Sequence, residues 1–166
     1  IQYFRLKEVS KTKNFIFKGK QSFSSSKLDQ IESQFSKLNK LDTKISSNEI
    51  YLIQSVSDAS NQEGLKDIIS AEENDIEFLF YVGPRLGTIS PWSSKTEDII
   101  KNVGFNDVLR VEKLNGFIID NDLDLNTLDL SMFYDRMTQS IYFNQNDFKD
   151  LFKSDSSRTL NHIDII

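Results

Sequence analysis

Residues 81–99 read YVGPRLGTISPWSSKTEDI and hold both prolines of the chain (Pro84 and Pro91), its single tryptophan (Trp92) and two of its six glycines (Gly83 and Gly87). Upstream, residues 76–82 form a consecutive apolar run, the pattern of a central strand buried on both faces. Downstream, Ser94 and Glu97 have the Ser-x-x-Glu spacing of a capping box, which predicts a helix over residues 95–103 that stops at Gly104. Proline fixes its own φ and drives the preceding residue out of the helical region, so Gly83-Pro84 and Ser90-Pro91 make the intervening strand-to-helix loop rigid. Thr88, Ser90, Ser93 and Ser94 supply hydroxyls, Arg85 and Lys95 supply a cation at each end, and Trp92 supplies an anchor. A mere connector needs none of these.

Outward from this loop, residues 1–6 have strand composition, the stretch to Asn14 reads as a loop, and Phe15, Ile16 and Phe17 form a second short strand. Ser24, Ser25 and Ser26 offer caps for a helix whose Leu28, Ile31, Phe35 and Leu38 share one face. A strand over residues 48–56 and a helix over 62–70, with Leu65, Ile68 and Ile69 inward, lead to an acidic turn at residues 72–75. Beyond the motif, residues 108–113 and 117–119 flank Asn115-Gly116, the signal of a hairpin. A helix over 127–134 with Leu128 and Met132 inward, a strand near 140–143 and a short helix over 147–152 complete the order, and residues 154–157 read as linker. Helices alternating with strands around a hairpin predict an α+β fold, an antiparallel sheet packed with helices.

At 166 residues the chain has room for one domain, or two small halves packed together, with a core rich in its 13 Phe and five Tyr. A net charge of −5 and a pI near 4.9 argue against a nucleic-acid binder, whose affinity comes from a basic surface. Absence of cysteine removes thiolate nucleophiles, disulfides and most structural zinc sites, and fits a cytoplasmic protein. No apolar run approaches the ~20 residues of a membrane span, so no membrane is expected.

The candidate chemistry competes with plainer readings. The motif fails the P-loop template because Thr88, not lysine, follows the second glycine. An anion could still meet the free N–H groups of residues 94–97 together with Lys95, but a self-satisfied cap is the commoner use of the pattern. The acidic run Asp120, Asn121, Asp122 and Asp124 resembles a calcium loop, yet Leu125 stands where glycine is needed and Ser131 where the bidentate Glu is needed; a solvated turn is expected. His162, the single histidine, falls in the tail, which excludes triad chemistry and a His-rich metal site. Arg110 and Glu112, two apart on a strand, share a face as a surface ion pair with each other or a neighbour, or as a functional pair. Asp135 and Arg136 sit at a predicted helix end, where the cation suits the carbonyl dipole. Trp92 is either core or, given its polar neighbours, an anchor for another protein surface. From the residues alone the chain is a soluble acidic α+β domain with one equipped loop, a docking surface.

Residues 84–99 match nearly letter for letter a motif in the amino-terminal domain of the large single-chain phosphoribosylformylglycinamidine synthases of purine biosynthesis. The family usually has Pro at Leu86 and Ala-Thr at Thr96-Glu97. Phe17-Lys18-Gly19, Gly104-Phe105, Val108 to Glu112, Gly116-Phe117, Asp135-Arg136-Met137 and the strand Ile141-Tyr142-Phe143 follow the family's order, so the resemblance covers residues 14 to 152. It implies two halves, each similar to the small PurS subunit of the split enzymes, with residues 1–152 as the PurS-like domain and 153–166 as the start of a linker. It also implies an ATP-dependent ligase and glutamine amidotransferase, with the synthetase and glutaminase domains of the same polypeptide as partners and ATP and Mg bound there. No catalytic, cofactor-binding or metal residue is carried over to this domain. The residues expected to matter are the interdomain docking loop, Pro84, Arg85, Gly87, Thr88, Ser90, Pro91, Trp92, Ser93, Ser94 and Lys95, supported by Arg110, Glu112, Asp135 and Arg136. The alternatives are substrate-phosphate contact by Arg85, Ser93, Ser94 or Lys95, and an unrelated small-ligand or protein-binding module.

Overall fold

The computed structural model describes residues 12–56 and 62–152. The strand expected over residues 1–6, the linker at 153–166 and His162 lie outside the described residues. Strand β1 (Lys13–Gln21) leads through helix α1 (Ser25–Asn39) to β2 (Ile45–Ser55), α2 (Gln62–Ile69) and the two-residue β3 (Glu72–Glu73). Then come β4 (Phe80–Pro84), α3 (Pro91–Asn102), β5 (Val108–Ile119), two 3₁₀ turns (Leu125–Thr127 and Ser131–Phe133), β6 (Gln139–Tyr142) and a 3₁₀ segment (Gln145–Phe152). All ladders in the sheet are antiparallel and the spatial order is β3-β1-β2-β5-β4-β6.

That order makes two halves of one topology. In each, a strand, a helix and an antiparallel strand are followed by a third short strand on the outer edge of the first: β1-α1-β2 with β3, and β4-α3-β5 with β6. The halves join along the long β2–β5 ladder, which runs from Ile45 opposite Ile119 to Gln54 opposite Arg110. The expected α+β fold with two halves is present.

Alternation along β2 and β5 divides the core. Ile45, Tyr51 and Ile53 of β2, with Val111, Phe117 and Ile119 of β5, face the helices. There α1 contributes Leu28, Ile31 and Phe35, while α2 and α3 contribute Leu65, Ile69 and Ile100. Each such side chain is worth about 1.5–3 kcal/mol when fully buried. Ile50, Leu52 and Leu114 face the other way and meet Phe78, Tyr142, Phe148, Leu151 and Phe152. Leu38, predicted inward, is exposed; a periodic stripe says which face is apolar, not how far the sheet extends beneath it.

Several expectations are corrected. Lys13 and Asn14 pair with Ser55 and Gln54 and so belong to β1, not to a loop. The predicted hairpin at Asn115-Gly116 is instead the middle of the continuous β5, where Gly116 faces Asn48 on one side and Tyr81 on the other. Glycine is required there by close approach: a Cβ on Gly116 would lie 2.6 Å from the Phe78 ring. The regular strand within residues 76–82 starts only at Phe80, because Phe78 leaves the ladder to cover Gly116. It is interior, between β5 and β6, but β2 and β5 hold the centre. The helix predicted over 127–134 is two 3₁₀ turns, the first capped by Asp124, whose Oδ1 accepts from the Asn126 N–H at 3.1 Å. The acidic run leading into it is a turn, and among the described residues no group of three or more metal-ligating side chains converges.

Candidate docking groove

Helix α3 begins one turn earlier than the Ser94–Glu97 spacing predicts. Ser90 is its N-cap, in extended conformation, and Pro91 takes the first helical position, where its missing N–H costs nothing. The Ser90 side-chain oxygen accepts from the Ser93 N–H at 3.1 Å. Ser94 and Lys95 therefore lie within the helix, exposed to solvent.

What decides the cap is a buried carboxylate. Glu112, 1% exposed, accepts from the Ser90 hydroxyl at 2.6 Å, from the Ser90 N–H at 3.3 Å and from the Lys113 N–H at 3.1 Å. One side chain thus joins the end of the motif loop and the start of α3 to β5. Glu97 makes a second tie, accepting from Arg110 Nε at 3.1 Å and from the Val111 N–H at 3.1 Å. The buried Ser93 hydroxyl donates to the Val111 carbonyl beside it. Arg110 and Glu112 are not paired with each other: Arg110 takes the expected neighbour pair, with Glu97, part-buried rather than on the surface, and Glu112 reaches Ser90 of the motif.

The β4 end of the loop is equally fixed. Gly83 and Pro84 pair with Ser140 and Gln139 of β6, and the Tyr142 hydroxyl donates to the Pro84 carbonyl. Burial, with the Glu112 charge adding to it, pushes the Tyr142 phenol up to about 12. The Arg85 N–H donates to the Thr138 carbonyl at 3.3 Å, and Thr88 closes the turn onto the Arg85 carbonyl through its N–H at 3.1 Å and its hydroxyl at 2.6 Å. Asp135 and Arg136 follow the short 3₁₀ turn Ser131–Phe133 and not the end of an α-helix: the Asp135 carboxylate accepts from the Met137 N–H at 2.8 Å, forming a turn that carries Met137 outward. Arg136 lines a different hollow, with Leu125, Tyr134 and Phe143.

Between the loop and the β6 turn lies a groove of about 520 Å³, whose lining includes Arg85, Ile89, Trp92, Lys113, Asn115 and Met137. Trp92 is half-buried, which resolves its two readings: one face stacks on Tyr51, with centroids 5.6 Å apart, while the side chain also forms groove wall. Lys113 Nζ stands 5.2 Å from the Trp92 ring centroid and 3.7 Å from Glu49. The Tyr51 hydroxyl donates to Glu49 at 2.7 Å, and burial with that neighbouring carboxylate raises the Tyr51 phenol well above the ordinary tyrosine range. Sequence reasoning missed Lys113, Asn115 and Met137 as groove residues. The sole signal for any of them was Met137 standing beside Asp135-Arg136.

Residues 20–152 match the sequence profile of the family described as formylglycinamide ribonucleotide amidotransferase N-terminal. A phosphoribosylformylglycinamidine synthase from Schizosaccharomyces pombe is 34% identical over 126 residues, an alignment covering 69% of this chain. The same alignment covers 9% of that relative, so the chain corresponds to a small part of a much longer polypeptide. With the motif, the paired halves and this match over most of its length, the chain belongs to the formylglycinamide ribonucleotide amidotransferase N-terminal family.

Proposed function

We propose that the chain works as the non-catalytic, amino-terminal coupling module of a phosphoribosylformylglycinamidine synthase. The whole polypeptide would be the ATP-dependent ligase that converts formylglycinamide ribonucleotide, ATP and glutamine to the amidine, ADP, phosphate and glutamate. Its ATP and Mg would be bound by the synthetase portion, glutamine would be hydrolysed by the glutaminase portion, and all of it would operate in the cytoplasm. Residues 1–152 would be the module and 153–166 the start of its linker.

The observation that carries this reading is the division of labour within the motif. Ser90, Ser93 and Glu97 are spent on internal hydrogen bonds to β5, whereas residues 85–89 are exposed, and Arg85, Thr88 and Ile89 among them line the groove with Met137. A loop so firmly fixed at both ends and so open in the middle suits contact with another surface. Direct substrate-phosphate binding is less well supported, because the Ser93 and Ser94 N–H groups at the start of α3 already meet Ser90, and the N–H of the cap residue itself meets Glu112.

The test uses the full-length polypeptide with Leu86→Ser and Ile89→Ser together. Glutamine-dependent turnover is expected to fall while far-UV circular dichroism and the unfolding midpoint are retained. Loss of ammonia-dependent turnover as well places the contact on the synthetase, and loss of the glutamine-dependent rate alone places it on the glutaminase coupling. Unchanged rates in both assays refute the reading.

A further inference from the structure

Resting on the coupling-module reading, we infer that the groove receives a segment of the same polypeptide that carries a carboxylate beside an apolar side chain. The acid is received between Arg85 and Lys113, and the apolar group against Trp92, Ile89 and Met137.

Charge is the first argument. The chain has a net charge of −5, yet the two ionisable residues lining this groove, Arg85 and Lys113, are both cations. Among the described residues Arg85 has no ion-pair partner, and Lys113 has only the 3.7 Å approach of Glu49, a carboxylate that also accepts from the Tyr51 hydroxyl. Two cations line the cleft, and the neighbouring carboxylates Glu49 and Glu112 are already engaged by the Tyr51 and Ser90 hydroxyls, so an incoming negative group is favoured there.

The second argument is the rim. Ile89 and Met137, 56% and 81% exposed, line the groove, and Leu86, 54% exposed, follows the lining residue Arg85 in the loop. Exposed aliphatic side chains, a methionine, a tryptophan and an arginine around one cleft form the composition enriched at protein interfaces. A free phosphate would gain little from that rim, and the Ser93 and Ser94 N–H groups at the start of α3 are already engaged by Ser90.

A second copy of this chain is the wrong occupant. A twofold contact built on this groove uses the same patch on both copies, and here that would bring two Arg85–Lys113 pairs, four cations, into one interface. A segment tethered in the same polypeptide avoids the repulsion and gains a high effective concentration. The relative's sequence, of which this chain's alignment covers 9%, leaves ample chain to supply it.

The experiment places the photo-crosslinker p-benzoylphenylalanine at Met137 in the full-length polypeptide and identifies the captured peptide by mass spectrometry. The expected product is an intramolecular cross-link to a segment with Asp or Glu close to an aliphatic or aromatic residue. Arg85→Glu should lower its yield tenfold or more, and changing the captured acid to Lys in that background should restore it. Capture of a segment without an acid, or a yield indifferent to Arg85→Glu, overturns the inference while leaving the coupling module standing. Cross-links only between copies, or a yield abolished by millimolar inorganic phosphate, overturn it in favour of self-association or a small anion. No capture at all, with normal turnover in Arg85 variants, overturns the coupling reading too.

Discussion

Replacing Ser90 by Ala tests whether a single hydroxyl holds the motif to the sheet. The change removes the acceptor of the Ser93 N–H and the donor to Glu112 Oε1. Loss of an N-cap costs ~1 kcal/mol. Loss of a hydrogen bond to a charged group adds ~1.5–3 kcal/mol, since Glu112 is 1% exposed and little water can replace the donor. Because both losses pass through one atom and the Ser90 N–H still reaches Glu112, the sum should fall short of full additivity, at about 3 kcal/mol. For a domain of this size that corresponds to a drop of about 6–12 °C in unfolding midpoint. Urea denaturation followed by circular dichroism measures it directly. Ser94→Ala is the control, since Ser94 is the cap that the Ser-x-x-Glu spacing predicts and an exposed helical residue in the structure. Its effect should stay within about 0.5 kcal/mol. Equal destabilisation by the two variants, or a Ser90→Ala protein as stable as the parent, would refute the cap and the role of Glu112 together.

Gly116→Ala should destabilise by about 1–3 kcal/mol, because the new methyl meets the Phe78 ring at 2.6 Å, and Phe78→Leu in the same chain should recover part of the loss; an additive double mutant would show that the approach is not the cause. Arg85→Ala should leave the unfolding midpoint nearly unchanged, within about 0.5 kcal/mol, as expected for an exposed cation without an ion pair among the described residues; a drop of several degrees would make the loop internal scaffolding. Stability should decline as pH rises from the unfolded tyrosine value of 10.0 through about 12, because folded Tyr142 keeps its proton where the unfolded chain releases it. Tyr142→Phe should flatten that decline in pH-stepped urea titrations, and an identical slope would remove Tyr142 from the account.

Local rules written in adjacent residues determined much of this protein. The stripe of Leu28, Ile31 and Phe35, the caps available near Ser24, the stop at Gly104 and the rigid loop between two prolines are legible because each depends on backbone geometry within a turn or two. The family motif at residues 84–99 is legible for a similar reason, being contiguous. Where two local signals competed, only the tertiary structure decided. Ser94–Glu97 reads as the helix start and Ser90-Pro91 as rigid loop, yet a carboxylate 22 residues from Ser90 sets the start at Ser90-Pro91. Asn115-Gly116 reads as a turn until the Phe78 ring and strands on both sides show why a residue without Cβ belongs in mid-strand. Of the groove only the loop wall was legible: Arg85, Lys113 and Met137 come from a loop, a strand and a turn, and their meeting around one cleft exists only once β4 lies between β5 and β6. Periodicity records which face a residue takes, whereas the energies that choose its neighbours come from burial and pairing across long separations in the chain, which no local pattern encodes.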